Sequence, residues 1–222
     1  MTDIVIPVLN EEKILREQRD YYTWLKTQAR IIFVDGGSVD RTAAMAKDYG
    51  DVVMSPPGRA LQMNTGAKLC RSSNILFLHV DTFLNEEALK EMNHVLSNGV
   101  FGGCFSMRIA ERGLIFRIFE KIINFRSRYL KIIDGDLGLF VKREVFTQLN
   151  QFDAVDVMED ILFSRKMRKA GKVRVLSSKI FVSARRWREK GFLKTFSQYT
   201  LCYLQLLRRN FFFKKGKEVM SQ

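Results

Sequence analysis

The sequence predicts an α/β fold with a mostly parallel sheet flanked by helices, and two observations support it. Strand-like and helix-like segments alternate four times within the first 80 of the 222 residues, which is typical of doubly wound sheets. The strand-like segments are short, continuous apolar runs such as 31–34, as expected for parallel strands that are buried on both faces. Polar clusters at 9–12, 35–40 and 79–82 follow three of these runs. Because ligands bind beyond the carboxyl ends of such strands, these clusters are the first candidates for a functional site.

The first half of the chain contains four predicted strands and four predicted helices. The strands cover 3–8, 31–34, 51–54 and 74–79, and the helices cover 11–26, 43–49, 60–70 and 86–96. Glu11 and Glu12 open the first helix, where acidic side chains interact favourably with the helix dipole. Gly36 and Gly37 lie in the turn after the second strand, and Pro-Pro-Gly at 56–58 forms the turn before the third helix. This order predicts successive βα units.

The second half is less regular. A predicted strand over 100–109 contains Gly102 and Gly103, which indicate a close backbone approach or a bulge. A long predicted helix over 111–131 has apolar residues at helical spacing with basic residues beside them. The remaining elements are a loop over 134–138, a strand over 139–142, a helix over 158–170 and a strand over 173–176. We predict one domain over 1–190 and a helical appendage over 191–222.

Positive charge is concentrated near the C-terminal end of the chain. Residues 161–222 carry 17 Lys or Arg and 2 Asp or Glu. Such an excess predicts contact with an anionic partner. Within it, residues 192–217 combine basic, aromatic and apolar residues in a helical pattern, so we predict contact with an anionic membrane surface. A helix packed on the domain with its charges in water is the alternative, and nucleic acid is a less favoured partner.

Composition also bears on location. The three cysteines Cys70, Cys104 and Cys202 are odd in number and far apart, which favours neither a disulfide framework nor a zinc site. No segment approaches the roughly 18 consecutive apolar residues of a membrane span. We expect a cytoplasmic protein that can associate with the inner face of the membrane.

His79 and Asp81 follow the apolar run 75–78 directly. Side chains alternate faces along a strand, so residues two positions apart at its end point the same way. A His and an Asp on one face at the carboxyl edge of a buried strand could hold a divalent cation against a phosphate. A solvated strand end is the alternative. The segment Asp134-Gly135-Asp136 is a second candidate, and we interpret it as a loop in preference to a metal site.

Five segments together resemble the family-2 glycosyltransferases, which have the GT-A fold. The segments are Ile4-Val5-Ile6-Pro7-Val8-Leu9-Asn10-Glu11-Glu12, Phe33-Val34-Asp35-Gly36-Gly37-Ser38-Val39-Asp40-Arg41-Thr42, Gly58-Arg59-Ala60-Leu61-Gln62-Met63-Asn64-Thr65-Gly66-Ala67, Leu78-His79-Val80-Asp81-Thr82 and Met158-Glu159-Asp160. They occur in the family's order over about residues 3–190. The resemblance implies a nucleotide-binding half over 1–82 and an acceptor half over 83–190, and it makes Asp134-Gly135-Asp136 an acceptor-side or structural loop. The sequence is most similar to a small bacterial branch whose metal motif reads HxD in place of DxD, some members of which are linked to arsenosugar or hopanoid-type pathways.

The resemblance implies a nucleotide-sugar donor, with UDP favoured. Asp35 would accept a hydrogen bond from the nucleotide base, since a carboxylate suits the uracil imide N–H; capping of the following helix is its alternative. The donor-binding residues that the resemblance implies are Pro7, Leu9, Glu11, Asp35, Gly37, Arg59 and Arg185. Pro7, Leu9 and Glu11 would line the pocket largely through backbone, or simply join strand to helix. Arg59 could bind phosphate, brace Asp35 or be solvated.

The resemblance also implies a divalent metal and a general base. Asp81 would bind Mn²⁺ or Mg²⁺, with His79 as a further ligand that favours Mn²⁺ or as a ribose contact. Asp160, with Glu159 beside it, would deprotonate the acceptor hydroxyl in an inverting transfer, although acids in a first helical turn are also explained by the dipole. Arg186 or Arg185 would stabilise the departing UDP, and the resemblance does not decide between them.

The leading hypothesis is therefore an inverting, metal-dependent glycosyltransferase with a hydroxyl acceptor, which could be lipid-like if the basic end contacts a membrane. A nucleotidyltransferase is a second hypothesis, weakened by the lack of a Gly-rich, Lys-containing loop near the first strand. A non-catalytic protein that binds membranes or nucleic acid is a third. The sequence does not identify the sugar, the acceptor or the oligomeric state.

Overall fold

The computed structural model describes residues 2–155 and 157–191. It divides into two compact units, Met1–Ser183 and Ala184–Gln222, so the boundary lies a few residues before the predicted one at 190. The first unit is an α/β domain, and the second begins with a short helix. The predicted membrane-binding segment 192–217 lies outside the described residues and stays a prediction.

The strands and helices are numbered here in chain order. The strands are β1 (Thr2–Val8), β2 (Arg30–Asp35), β3 (Asp51–Met54), β4 (Asn74–Phe77), β5 (Thr82–Phe83), β6 (Gly102–Ile109), β7 (Leu139–Lys142) and β8 (Val173–Val182). The helices are α1 (Glu12–Glu17), α2 (Arg19–Gln28), α3 (Thr42–Ala46), α4 (Arg59–Leu69), α5 (Glu86–Ser97), α6 (Leu114–Leu130), α7 (Arg143–Gln148), α8 (Glu159–Ala170) and α9 (Arg185–Lys190).

One sheet contains all eight of these strands, in the order β3-β2-β1-β4-β7-β6-β8-β5. The half made of β3, β2, β1 and β4 is parallel, whereas β7 pairs antiparallel with β4 and with β6, and β6 is again parallel to β8. Val8 of β1 pairs with Asp35 of β2, and Val5 pairs with Phe77 of β4. The carboxyl ends of these three strands therefore meet at one edge, as the sequence predicts.

The parallel strands are buried on both faces, which explains their continuous apolar sequence. Residues Ile4–Ile6 and Ile31–Val34 are almost completely inaccessible to solvent. Helix α4 packs closely on β1 because Gly66 has no side chain; a Cβ there would lie 2.5 Å from Val5 Cγ1. Gln62 of α4 donates hydrogen bonds from Nε2 to the Val8 and Val34 carbonyls, at 3.0 and 2.8 Å. These bonds fix the ends of β1 and β2 relative to each other.

Several elements differ from the sequence-based expectation. The predicted helix 11–26 is two helices, α1 and α2, separated at Gln18. Strand β8 continues to Val182 because Glu91 accepts hydrogen bonds from the Ser177 and Ser178 N–H groups, at 3.2 and 2.9 Å, where the β6–β8 register shifts. The short elements β5 and α7 have no clear sequence pattern. None of the described helices is long and apolar enough to cross a membrane.

The two glycines of β6 mark a close backbone approach, as predicted. A Cβ on Gly103 would lie 1.8 Å from the Arg174 carbonyl oxygen, and one on Gly102 would lie 2.4 Å from that of Phe140. Both glycines pair with β7 on one side and β8 on the other. Strand β6 can therefore pair with both β7 and β8 here only because residues 102 and 103 are glycines.

Candidate active site

Asp35 ends β2 with a fully buried side chain. Its Oδ1 accepts hydrogen bonds from the Gly37 and Ser38 N–H groups, at 2.7 and 2.6 Å. Its Oδ2 is buried and has no hydrogen-bond partner. Because an unsatisfied buried polar atom is costly, such an atom is expected to meet a ligand. One oxygen thus shapes the turn at Gly37 and Ser38, and the other remains available to a donor such as a base N–H. The capping alternative is wrong, because α3 begins only at Thr42 and has no side-chain cap.

The loops after β1 and β2 form one continuous wall. Asn10, which has a positive φ of 55°, accepts the Val39 N–H and donates its own N–H to Ser38 Oγ. Glu11 donates its N–H to Thr42 Oγ1 at 2.7 Å. Of the residues predicted to line the nucleotide pocket here, Pro7 and Glu11 are partly buried and Leu9 is exposed. The two polar clusters that follow β1 and β2 therefore meet, as predicted.

The predicted strand 74–79 ends at Phe77, so the expectation that His79 and Asp81 extend from one strand face is wrong. The chain instead turns after Leu78, with the Thr82 N–H donating to the His79 carbonyl at 3.1 Å. Tyr22 of α2 fixes this turn by donating to the Val80 carbonyl at 2.6 Å. Burial raises the pKa of Tyr22, and Tyr21, Asp81 and Glu11 raise it further.

His79 is buried and contacts the loop before β7. Its Nδ1 lies 2.8 Å from Asp136 Oδ1. Since a carboxylate can only accept, Nδ1 carries the proton and, in the neutral ring, Nε2 presents a lone pair. Nε2 is buried and has no partner. The arrangement therefore leaves one imidazole nitrogen beside Gly135 without a protein hydrogen-bond partner.

Asp160 lies beside the same loop. Its Oδ2 accepts a hydrogen bond from the Gly135 N–H, and its Oδ1 accepts one from the Ile161 N–H at 2.7 Å. Burial, then the neighbouring Glu159 carboxylate, raise the pKa of Asp160 to about 7 against the opposing effect of Arg59. A carboxylate that titrates near neutral pH is suited to general-base catalysis. Its environment thus fits the predicted role.

Glu159 and Arg59 form an ion pair at the start of α8. Arg59 Nε lies 2.5 Å from Glu159 Oε1, and the Glu159 side chain is completely buried. Burial lowers the pKa of Arg59, but Glu159, Asp160 and Asp136 together raise it above its ordinary value. Met158, just before, has a left-handed backbone with φ of 67°. Arg59 therefore braces Glu159, where the sequence suggested Asp35, and its contact with phosphate stays a prediction.

The sequence profile described as Glycosyl transferase family 2 matches residues 3–146. The chain belongs to this family. The matched range includes Asp35, Arg59, His79 and Asp81, and it ends before Asp160. No curated protein sequence matches the chain.

Solved structures with this family's fold superpose on the chain. S. aureus TarS 1–349 in complex with UDP-GlcNAc has a TM-score of 0.62 at 19% identity, over 82% of this chain and 58% of TarS. The mannosyltransferase PcManGT from Pyrobaculum calidifontis, in complex with GDP-Man and Mn²⁺, has a TM-score of 0.65 at 16% identity, over 90% of this chain and 64% of PcManGT. These likenesses confirm the GT-A fold. The chain spans less than two thirds of the length of either protein.

The metal-binding prediction can be compared with the side chains that are present. Within residues 2–155 and 157–191, no group of three or more His, Cys, Asp or Glu is arranged to hold a metal ion. However, Mg²⁺ and Mn²⁺ at phosphate sites commonly use one or two protein ligands and take the remainder from phosphate and water. His79 Nε2, which is buried and has no hydrogen-bond partner, suits such a site, and Asp81 lies on the same turn. Their role as ligands stays a prediction.

Other predicted family-2 site residues are distributed as follows. Gly37 has φ of 97°, which favours glycine, and its N–H binds Asp35. Arg185 and Arg186 begin α9 in the second unit, and their predicted contact with the leaving group stays a prediction. Sequence reasoning missed Tyr22 and Gln62, and it did not pair Asp136 with His79. Only Tyr22 had a signal in the sequence. It lies in a helix predicted to pack on the sheet, and a buried tyrosine hydroxyl needs a hydrogen-bond partner.

Gly135 lies between His79, the candidate metal ligand, and Asp160, the candidate general base. A Cβ on Gly135 would lie 2.8 Å from His79 Nε2 and 2.9 Å from Asp160 Oδ2. Both side chains are held by hydrogen bonds, so neither can move aside freely. We expect Gly135→Ala to reduce the rate of nucleotide release from the donor sugar by about 100-fold, because displacements near 1 Å can cost that much. Nucleoside diphosphate binding, measured by titration calorimetry, is the control and should persist; an unchanged rate would contradict the assigned site.

Proposed function

We propose that the chain is an inverting glycosyltransferase that moves a sugar from a nucleoside diphosphate sugar, with UDP favoured, to an acceptor hydroxyl. The observation that carries this proposal is the convergence of two carboxylates at one sheet edge. Asp35 has a buried oxygen without a partner, and Asp160 has a pKa raised to about 7. Membership of family 2 and the nucleotide sugars present in TarS and PcManGT support the same conclusion.

The donor base would bind at Asp35. Its free Oδ2 can accept the uracil imide N–H, and Oδ1 keeps the turn in place through Gly37 and Ser38. The exposed Leu9 side chain at the end of β1 offers apolar surface to the base and ribose. Because the loops after β1 and β2 are hydrogen-bonded to each other, the pocket is organised before a ligand arrives.

The diphosphate would lie next to the turn at 78–82. Asp81 and His79 would hold a Mn²⁺ or Mg²⁺ ion there, which supplies positive charge that offsets the charge on the departing nucleotide. Asp136 keeps the His79 ring in one tautomer and orientation by accepting from Nδ1, at 2.8 Å. Arg185 or Arg186 would add positive charge on the leaving-group side.

Asp160 would act as the general base. Its carboxylate takes the proton of the acceptor hydroxyl as that oxygen attacks the anomeric carbon from the face opposite the diphosphate. The bond between the anomeric carbon and the diphosphate oxygen breaks, and the nucleoside diphosphate leaves with the bonding electrons. The buried Glu159–Arg59 ion pair holds its charges beside Asp160, where Glu159 raises and Arg59 lowers its pKa. A pKa near 7 gives this base both a deprotonated fraction and useful basicity at neutral pH.

The cellular setting is part of the proposal. The positive charge of residues 161–222 supports a cytoplasmic protein that attaches peripherally to the inner face of the membrane, with 192–217 as one contact. An acceptor presented at that surface, such as a lipid-like alcohol, would fit this setting.

A thermal-shift panel tests the donor site. We expect UDP with Mn²⁺ to raise the melting temperature more than GDP, CDP or ADP does. A ligand that binds only the folded state stabilises it by about 2.7 kcal/mol at 100 times its Kd, so binding is measured as a rise in melting temperature. Asp81→Ala should remove the metal-dependent part of the stabilisation. Asp48→Ala is the matched control, since Asp48 is an exposed acid before the amino end of β3, away from the carboxyl ends of the strands. If no nucleotide stabilises the protein with or without metal, the proposed function is wrong.

A further inference from the structure

Helix α6 is attached to the sheet largely through polar side chains. Glu120 accepts the Ile109 N–H at 2.5 Å, and Asn124 accepts the Met107 N–H and donates to the Met107 carbonyl, at 2.7 and 3.0 Å. These bonds satisfy the edge of β6, because β7 pairs with β6 only at Gly102 and Gly103. Phe119 and Ile123 complete the buried side of the helix. The side of α6 that packs on the sheet therefore combines polar and apolar side chains, a mixture that is more usual on the solvent-exposed side of a helix.

The outer face of α6 is apolar. Seven of its large apolar side chains are between 48% and 77% exposed, and Leu130 is the last of them. The other six form one stripe, namely Leu114, Ile115, Ile118, Ile122, Phe125 and Tyr129. At about 100° per residue they lie within a ~100° arc, and at about 1.5 Å per residue the stripe is ~22 Å long. Phe125 and Tyr129 also contact each other, with ring centroids 4.5 Å apart. Single exposed apolar residues are common, but a contiguous stripe of this kind indicates an interaction surface.

The charges beside this stripe are all of one sign. Lys121 and Arg128 are exposed along one side of it, and Arg112 is exposed just before the helix. Over 112–130 the exposed side chains include no Asp or Glu, since Glu120 is buried. An apolar face with a basic rim matches an anionic, apolar partner.

We propose that the outer face of α6 rests on an anionic lipid bilayer, with the helix axis parallel to the membrane plane. The six apolar side chains would enter the headgroup region, and Lys121 and Arg128 would contact lipid phosphates. The basic rim disfavours two other occupants, a second copy of the chain and residues 192–222 of the same chain. In a two-fold pair of α6 helices the rims would bring like charges together at the interface. Residues 192–222 carry six Lys or Arg and one Glu, so they would also bring positive charge to a basic surface.

This surface is connected to the candidate active site. Arg126 of α6 forms an ion pair with Asp134, next to Gly135 and Asp136 of the loop that contacts Asp160 and His79. A bilayer under α6 would therefore lie beside the loop at which the acceptor hydroxyl is deprotonated. The acceptor would then be an amphiphile whose hydroxyl emerges from the membrane surface, an inference that rests on the proposed function, whereas the bilayer contact does not.

Vesicle flotation of the full chain tests the bilayer contact. We expect the protein to float with vesicles of phosphatidylcholine mixed with phosphatidylglycerol, and to float much less with phosphatidylcholine alone. Replacing three stripe residues, Ile118→Ser, Ile122→Ser and Phe125→Ser, should weaken binding by about tenfold or more, because apolar area drives insertion at the interface. The matched control replaces exposed apolar residues elsewhere, Leu61→Ser, Leu69→Ser and Phe181→Ser, and should float like the parent.

Both triple variants keep residues 192–222, so any contribution of that segment is the same in each. The proposal is overturned if the parent does not float with anionic vesicles, or if the α6 variant floats as well as the parent. It is also overturned if light scattering shows a dimer that the α6 variant alone dissociates, since a second copy would then cover the stripe. Nucleotide-dependent thermal shifts of both variants report the proposed function separately, and they should match the parent.

Discussion

Replacing Asp160 by Asn is expected to slow sugar transfer by about 10²- to 10⁴-fold, the usual contribution of a positioned general base. Asn cannot accept the acceptor proton, whereas its carbonyl can still accept one of the two backbone hydrogen bonds that position Asp160. The rate of nucleoside diphosphate release from the donor sugar, with and without added membrane lipid, measures the effect. Titration calorimetry with the nucleoside diphosphate should show little change, because Asp35 is intact. A variant that keeps the parent rate would remove Asp160 from the mechanism.

The pH dependence of the parent enzyme is the companion measurement. Burial, followed by Glu159, raises the pKa of Asp160 from the ordinary 3.8 to about 7, and the base acts only when ionised. The rate should therefore rise with pH through about 7, and the residual rate of the Asn variant should lack this step. Because the pKa is raised on folding, this group's contribution to folding stability is greatest below pH 3.8 and is lost as pH rises towards 7. A rate that is flat between pH 5 and 8 would contradict the assignment.

The parallel half of the fold could be predicted because its information is local. The apolar runs of β1, β2 and β4 are buried on both faces, and βα units impose a parallel order on them. Asp35 could be predicted for the same reason, since it follows β2 directly. The loops that follow two adjacent parallel strands have to meet at one edge of the sheet.

The pairing of His79 with Asp136 could not be predicted, because it depends on a strand register. Strand β7 runs antiparallel to β4 with Phe77 opposite Leu139. Residues that follow Phe77 therefore lie beside residues that precede Leu139, which brings His79 to Asp136 across 57 positions of sequence. The sequence predicts β7 as a strand, but it contains no signal for the neighbour or direction of that strand. The ion pair between Arg59 and Glu159 has the same origin in tertiary packing.

Helix α6 shows a second limit of pattern reasoning. Periodicity predicts a helix with apolar residues at helical spacing over 111–131, and α6 is that helix. Phe119 and Ile123 face the sheet, whereas most of the other apolar residues lie on the exposed side. Periodicity does not say which side faces protein. The packed side is chosen by Glu120 and Asn124, whose hydrogen bonds complete the edge of β6. Only the structure, in which the edge of β6 is visible, shows that the apolar stripe faces outward.

Replacing Asp35 by Asn should change which base the protein prefers. Asn can keep the hydrogen bonds from Gly37 and Ser38 through its carbonyl oxygen, which places its NH₂ group at the position of the present Oδ2. A donor then faces the uracil imide N–H, and a buried mispaired polar group costs about 1–3 kcal/mol, or roughly 5- to 150-fold in affinity. Cytosine has an acceptor nitrogen at the corresponding position, so binding of CDP should improve relative to that of UDP.

Titration calorimetry with UDP and CDP in the presence of Mn²⁺ measures this change in preference. Asp40→Asn is the matched control, because Asp40 is an exposed acid of the same loop that binds Thr42 at the start of α3. The result separates two explanations for the buried oxygen of Asp35. If it only shapes the turn, Asn should weaken UDP and CDP equally or not at all. If it binds the base, the UDP-to-CDP affinity ratio should fall by at least about tenfold, which no loss of general stability can produce.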